Sequence, residues 1–529
     1  MTSKKSFNNF FLLSLIIIYA FLINWFSGNR GVMPIDTFGF FDTGYSILKG
    51  KLPIRDYWIF TGLVVDYFQA FFFWIFGLSW KSYIFHSSFI NILATISFFY
   101  FLKNYNVNQF FTFFCCISFA TLCYPVSGTP FAYLHSYAFS LITIFIFLIA
   151  IKNKNNLAWF SLPFLFFVSF FSMQTPSFYI ITLILIMGGY YFFKSKNFKY
   201  LNFFIGGSLL SFIIFFIFIF ISNTPIKNLI YEYFLFPITI GEGRLASEAT
   251  AYVKLSDQLN IKRIFGDFKF IHLFFIPLFL IHFFSSLKKK PEVFILNISV
   301  LASSFLFFFN QLNQANQIYI FSLIPVLASA LVINLKFLEK EKLNKFVYLI
   351  LILVLIATIK FHFRYNVDRK FLDVEKLDKN LAVNASQIDE KLNHLKWISP
   401  NFENPQDEID LINLALTKIK SDKREKVLVT HYQFLSLILE EDLNILNRWY
   451  LWDNNTHPTE NHKYFLFYKN FVNKNVVKNN VKVIYLLGAN NEMPFNKLKN
   501  YFENKCFKDY IVVENKFSYH EIVNCKNKI

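Results

Sequence analysis

The stretch that decides the fold runs from Met33 to Gly77, MPIDTFGFFDTGYSILKGKLPIRDYWIFTGLVVDYFQAFFFWIFG. It follows an apolar run from Phe10 to Phe26 and holds Asp36, Asp42, Arg55, Asp56 and Asp66, in a chain whose apolar runs otherwise carry almost no acid. Ionisable groups kept close to hydrocarbon are expensive to maintain, so these carboxylates point to use.

Outward from this stretch, composition sets the class. The 529-residue chain is 55% hydrophobic with 75 Phe, above the apolar share of ordinary soluble domains, and the apolar residues fall in blocks. The chain reads as a polytopic α-helical membrane protein. Lys4 and Lys5 precede the first run and no small-residue cleavage site follows it, so it is a retained span. Further blocks cover 82–101, 109–124, 137–151, 157–172, 177–193, 201–222, 271–286, 292–309, 317–335 and 347–361. Each is near the length that a hydrocarbon core of about 30 Å demands, giving about 11 spans in all. The net charge of +18 resides in short Lys clusters between blocks, which is a topology signal and argues against nucleic acid.

Charge alternation orients the chain and decides whether Thr61 to Gly77 crosses. If that helix stays outside, Lys103, Lys152, Lys154, Lys194 to Lys199, Lys288 to Lys290 and Lys336 to Lys345 all share a side with Lys4 and Lys5. The short opposite loops, 125–136, 173–176 and 310–316, then contain no Lys or Arg. A crossing at Thr61 to Gly77 would invert every later loop and break the positive-inside rule. Its roughly 16 residues also give only about 24 Å of helix, short of the hydrocarbon thickness. It is expected at the outer surface, with Asp66 and Gln69 on one side. Two long outer segments do carry positive charge: the first loop, 27–81, and the segment 223–269 with Lys227, Arg244, Lys254, Lys262, Arg263 and Lys269.

The division expected is a transmembrane domain over 1–361 and a small extracytoplasmic α/β domain over 362–529. In the latter, LDVEKLDKNLAVNASQIDEKLNHLKW and EIDLINLALTKIKSD read as helices, and KVLVTHY, ILNRWYLW, VKVIYLLG, DYIVVEN and YHEIVNC read as strands. It contains no Gly-rich phosphate loop, metal-spaced His pair or nucleophile elbow. Cys115, Cys116 and Cys123 lie in an apolar block and read as packing residues. Cys506 and Cys525 lie in the domain placed outside, where a disulfide is permitted, and a disulfide between them is expected.

The first loop opens with an acid, runs through Gly50-Lys51-x-Pro53-x-Arg55-Asp56-Tyr57-Trp58 and closes with an aromatic-rich helix ending in Phe76-Gly77. That order resembles the glycosyltransferase C superfamily, and within it the bacterial branch related to protein mannosyltransferases and the aminoarabinose transferase. The resemblance implies an inverting transferase of a bacterial inner membrane. It would take a sugar from a polyprenyl-phosphate carrier and pass it to a lipid, glycan or protein acceptor at the outer face. In such enzymes the base is an acid shortly after the first span, here Asp36, with Asp42 the next candidate. Arg55, Asp56, Tyr57, Trp58, Arg244 and Arg263 are the candidate substrate contacts. Many relatives have an adjacent acid pair, whereas Thr37 follows Asp36 here, which leaves use of a divalent metal open. The rival classes are a lipid or oligosaccharide flippase and an envelope polysaccharide polymerase or ligase. A transporter would be expected to carry mid-membrane charges and repeated halves, and neither is evident in the sequence.

The topology is testable directly. Reporter fusions after Ser127 and Asn313 should lie outside and fusions after Lys154 and Lys290 in the cytoplasm; cytoplasmic labelling at Asn313 would overturn the alternation.

Overall fold

Helices dominate the chain, and a computed structural model describes residues 2–196, 198–246, 255–285, 290–314, 319–338, 344–369, 374–502, 505–523 and 525. Lys254, Lys288, Lys289, Lys340, Lys342 and residues 315–316 of the segment 310–316 lie outside the described residues. Among the described residues, seven helices are long and apolar enough to cross a membrane: Asn9–Gly28, Trp80–Asn104, Ala132–Asn153, Gln174–Ser195, Lys199–Ile221, Pro291–Asn313 and Lys345–Val367. Shorter apolar helices cover Leu63–Phe76, Gln109–Cys123, Asn156–Ser172, Lys269–Phe284 and Leu323–Phe337.

By internal contacts the chain forms two units. The first comprises Met1–Gly28, Ser87–Ile217 and Leu255–Leu372, and the second Asn29–His86, Phe218–Lys254 and Asp373–Ile529. This differs from a division at residue 361, because the first loop and the segment after Ile217 group with the carboxy-terminal residues.

The first unit joins its apolar helices through buried amides. The Asn91 Nδ2 donates to the Ala20 and Ala120 carbonyls, each at 3.0 Å. Asn24 donates to the hydroxyls of Ser87 and Ser88 at 2.9 and 3.0 Å, and Asn297 and Asn334 exchange amide hydrogen bonds. Where lipid offers no hydrogen-bonding alternative, such pairs fix which helices meet. Cys115, Cys116 and Cys123 are buried free thiols.

The second unit contains two sheets. Strands β1 (Val383–Asn384) and β2 (Lys396–Trp397) form a short antiparallel pair. Strands β3 (Lys426–Thr430), β4 (Val483–Leu487), β5 (Cys506–Val513) and β6 (Phe517–Val523) form a four-stranded sheet in the order β3-β4-β6-β5. β3 and β4 are parallel and the other two pairings are antiparallel. The β3 to β4 connection includes the helix Phe465–Lys478, as a parallel crossover requires. Every residue of β3 and β4 is buried, as expected of strands covered on both faces, and the Lys426 ammonium at the start of β3 pairs with Glu441. Cys506 and Cys525 are joined by a disulfide with a Cα separation of 5.0 Å.

Two expected elements differ. The stretch read as a helix over 372–397 consists, over its described residues 374–397, of short turns and strands β1 and β2. There the side chains of Asp378 and Asp389 accept from the backbone N–H groups of Asn380 and Lys391, closing local turns that compete with helix. The stretch ILNRWYLW is not a strand of the sheet, although the Trp58 N–H donates to the Leu446 carbonyl at 2.9 Å. EIDLINLALTKIKSD does form a helix, Pro405–Ser421, capped by the Asn404 side chain.

Three distant segments share the core of this unit. Trp58 from the first loop and Phe236 from the segment after Ile217 are both fully buried among Val427, Val429, Leu446, Tyr468 and Ile484. The Trp58 ring lies 4.9 Å from Tyr468 and 5.6 Å from Phe236, and its indole N–H donates to the Thr456 carbonyl. A buried Trp supplies both a large apolar area and a donor that must find a partner. Here the loop meets both needs inside the α/β core.

Candidate active site in the first loop

The loop begins with the four-residue helix Pro34–Thr37, whose Pro at the start presets the backbone. Thr37 closes it: its hydroxyl accepts from the Met33 N–H at 2.8 Å, and its carbonyl accepts from the Tyr83 hydroxyl at 2.9 Å. The Trp449 indole donates to the Ile35 carbonyl at 2.8 Å. Asp36 sits half-buried within this helix.

The other acids of the loop have different surroundings. Asp42 is buried, on the helix Phe41–Leu48, and its two oxygens accept from the Ser436 and Leu437 N–H groups at 3.1 and 2.9 Å. Burial pushes its carboxyl up to about 7, against the opposing pull of those hydrogen bonds. It acts on the first turn of the helix Leu435–Leu439 as a cap. Asp56 is also buried. Burial opposes its ionisation, but Arg55, Lys478 and the Leu52 N–H together hold its carboxyl below the usual range.

Asp66 forms a fully buried ion pair with Arg448. The Thr43 hydroxyl donates to the second carboxylate oxygen at 2.6 Å. The guanidinium also donates to the Thr61 carbonyl and lies 4.3 Å from the centre of the Phe40 ring, a cation–π arrangement. Gly62 makes room for it. Its φ is +79°, and a Cβ there would come within 2.6 Å of both Arg448 and Phe40, so the position is closed to other residues.

The cluster Arg55-Asp56-Tyr57-Trp58, expected to meet substrate, is instead engaged within the protein. The Arg55 guanidinium donates to Asp56 and to the carbonyls of Ser222 and Gly50. Tyr57 and Trp58 are buried, so neither ring offers a face as a sugar platform. Of the phosphate candidates, Arg244 is half-buried on the helix Phe236–Leu245. Arg263 approaches Asp267 at 3.9 Å, and its Nη1 has no hydrogen-bond partner among the described residues. His135 is buried with its Nδ1 2.6 Å from the Tyr124 hydroxyl, and the His272 Nε2 lies 2.8 Å from the Ile264 carbonyl.

Two residues escaped the sequence reading. Arg448 was hidden in a run that resembled a strand, although an Arg among aromatics and aliphatics signals a buried partner. Glu232, in the aromatic-rich IYEYFL, is fully buried and accepts from the Ile59 N–H at 3.2 Å. Burial pushes its carboxyl well up. Among the described residues no group of three or more His, Cys, Asp or Glu side chains is arranged to hold a metal.

No family model matches the chain, and no curated protein matches it. Among solved structures, the oligosaccharyltransferase of Archaeoglobus fulgidus, crystallised as a complex with zinc and sulfate, is similar over 95% of this chain and 72% of its own. The sequence identity is 13% and the TM-score 0.44.

Asp42 gives a pH test. An unfolded aspartate titrates near 3.8 and this one at about 7, so between those values the folded state holds more protons than the unfolded state. The group's contribution to stability is therefore present in acid and is lost as pH rises towards about 7. Asp42→Asn cannot ionise and keeps one acceptor oxygen. Its thermal midpoint should fall less steeply than that of the parent across this window, and equal slopes would contradict the assignment.

Proposed function

We propose that the chain is an integral membrane glycosyltransferase with Asp36 as its base. It moves a sugar from a polyprenyl-phosphate carrier to a lipid, glycan or protein acceptor at the outer face of a bacterial inner membrane. The observation that carries this reading is the contrast among the four loop acids. Asp42, Asp56 and Asp66 are buried. Asp36, the acid at the position the resemblance assigns to the base, is half-buried. If the shorter apolar helices Gln109–Cys123, Asn156–Ser172, Lys269–Phe284 and Leu323–Phe337 cross beside the seven long ones, an amino terminus inside would leave the carboxy-terminal residues outside, on the side where carrier-linked sugars would be used.

In this mechanism the Asp36 carboxylate removes the proton of the acceptor hydroxyl as its oxygen attacks the anomeric carbon. The bond from that carbon to the phosphate oxygen breaks, and the carrier leaves as polyprenyl phosphate. Arg244, in the same unit as Asp36, is the candidate to stabilise the departing phosphate, since a guanidinium matches phosphate geometry and keeps its charge. Asp42 caps a helix and Arg55 is committed to Asp56, which makes both weaker candidates than they were from sequence.

Asp36→Asn tests the assignment with little change in shape. Transfer from a polyprenyl-phosphate sugar by the purified variant should fall roughly a hundredfold or more, as expected when a general base is lost, while expression and the thermal midpoint stay at parental values. Near-parental activity would remove Asp36 as the base.

A further inference from the structure

We propose that the second unit carries a separate recognition site for a neutral sugar, in the cleft where Lys51 of the first loop meets Asp442, Asn444, Asn475 and Asn479. Ile445 adds an apolar part to its wall. The Lys51 ammonium lies 2.8 Å from the Asn479 Oδ1, 3.3 Å from an Asp442 oxygen and 3.4 Å from the Asn444 Oδ1. Asn475 projects from the helix Phe465–Lys478, is only 4% exposed, and its Nδ2 has no hydrogen-bond partner among the described residues. A buried amide donor without a partner costs about 1–3 kcal/mol, so its presence in a cleft wall points to a ligand that completes it.

The lining chooses among ligand classes. A metal ion would have to expel Lys51, whose ammonium already occupies the space between the three oxygen-bearing side chains. An anion would meet the Asp442 carboxylate, with Asp56 also in the wall. A hydroxyl group suits both halves of the site: it accepts from the Asn475 Nδ2 and donates to Asp442 or the Asn479 oxygen. The cleft is narrow, with room at depth for about one water-sized group. The site therefore fits a single hydroxyl or hydroxymethyl arm of a sugar whose ring stays at the mouth. The cleft is built from the first loop and the carboxy-terminal residues of the same unit, and the inference concerns binding alone, so it stands apart from the transfer reading.

The test uses the full chain in lipid nanodiscs and saturation-transfer NMR. The probes are the methyl glycosides of glucose, galactose, mannose and N-acetylglucosamine, with calcium chloride and inorganic phosphate as competitors. At least one glycoside should bind. Its affinity should fall roughly tenfold or more in Asn475→Leu, which keeps the volume of the side chain, and in Asp442→Asn, at a part-exposed position. The same glycoside should still bind Asp36→Asn, which separates this cleft from the transfer site. Absence of binding by every glycoside, binding unaffected in both cleft variants, or displacement by calcium or phosphate would each overturn the proposal.

Discussion

The buried pair between Asp66 and Arg448 is the constraint on which the second unit depends. The two residues are 382 positions apart in sequence, and both side chains are fully buried. Two charges removed from water repay that cost only when geometry and additional hydrogen bonds are in place. Thr43 supplies one such bond, the Thr61 carbonyl another, and the Phe40 ring faces the cation. Gly62 is the concession made by the backbone, since only a residue without a side chain fits beside the guanidinium. Removing one partner would leave an uncompensated charge in the core, at about 3–5 kcal/mol, which is a large part of the stability of an ordinary domain. The pair therefore acts as a register pin, fixing how the first loop meets the residues around Arg448.

The other contacts of the loop reinforce that register. Asp42 caps the helix Leu435–Leu439, Trp58 fills the core beside Tyr468, and Asp56 receives Lys478. Each of these residues is polar or aromatic and lies in the stretch that sequence analysis singled out for chemistry. The same residue types serve packing when they are buried, because a buried carboxylate needs donors and a buried indole needs an acceptor. What distinguishes Asp36 is location: it belongs to a short helix pinned at Ile35 and Thr37, so its backbone is positioned while its side chain remains half-buried. In the proposed role of base, a side chain carried on a backbone held in this way would lose little freedom on meeting a substrate, the general advantage of preorganisation.

The apolar blocks were legible in the sequence because span length and hydropathy are local properties, and the long helices follow them closely. The strands of the four-stranded sheet were legible for the same reason, as short β-branched runs between turns. The joint core of the second unit was not. Its decisive contacts, Trp58 with Tyr468 and Asp66 with Arg448, link residues with no local periodicity in common. The stretch over 372–397 misled because its apolar spacing suits a helix, while Asp378 and Asp389 offer the backbone tighter turns. The sequence marks Asp36 as an acid shortly after the first span; the diversion of Asp42, Asp56 and Trp58 into structure was not legible, since it depends on partners more than 150 residues away.

The central claim is that the first loop folds as part of the carboxy-terminal domain through this pair. Hydrogen–deuterium exchange on the full chain in nanodiscs, comparing the parent with Arg448→Met, tests it most directly. The account predicts that amides in 34–48 and in 435–439 are protected together in the parent and lose protection together in the variant, while the apolar helices of the first unit keep theirs. Loss of protection confined to the neighbours of residue 448, with the first loop unchanged, would contradict it.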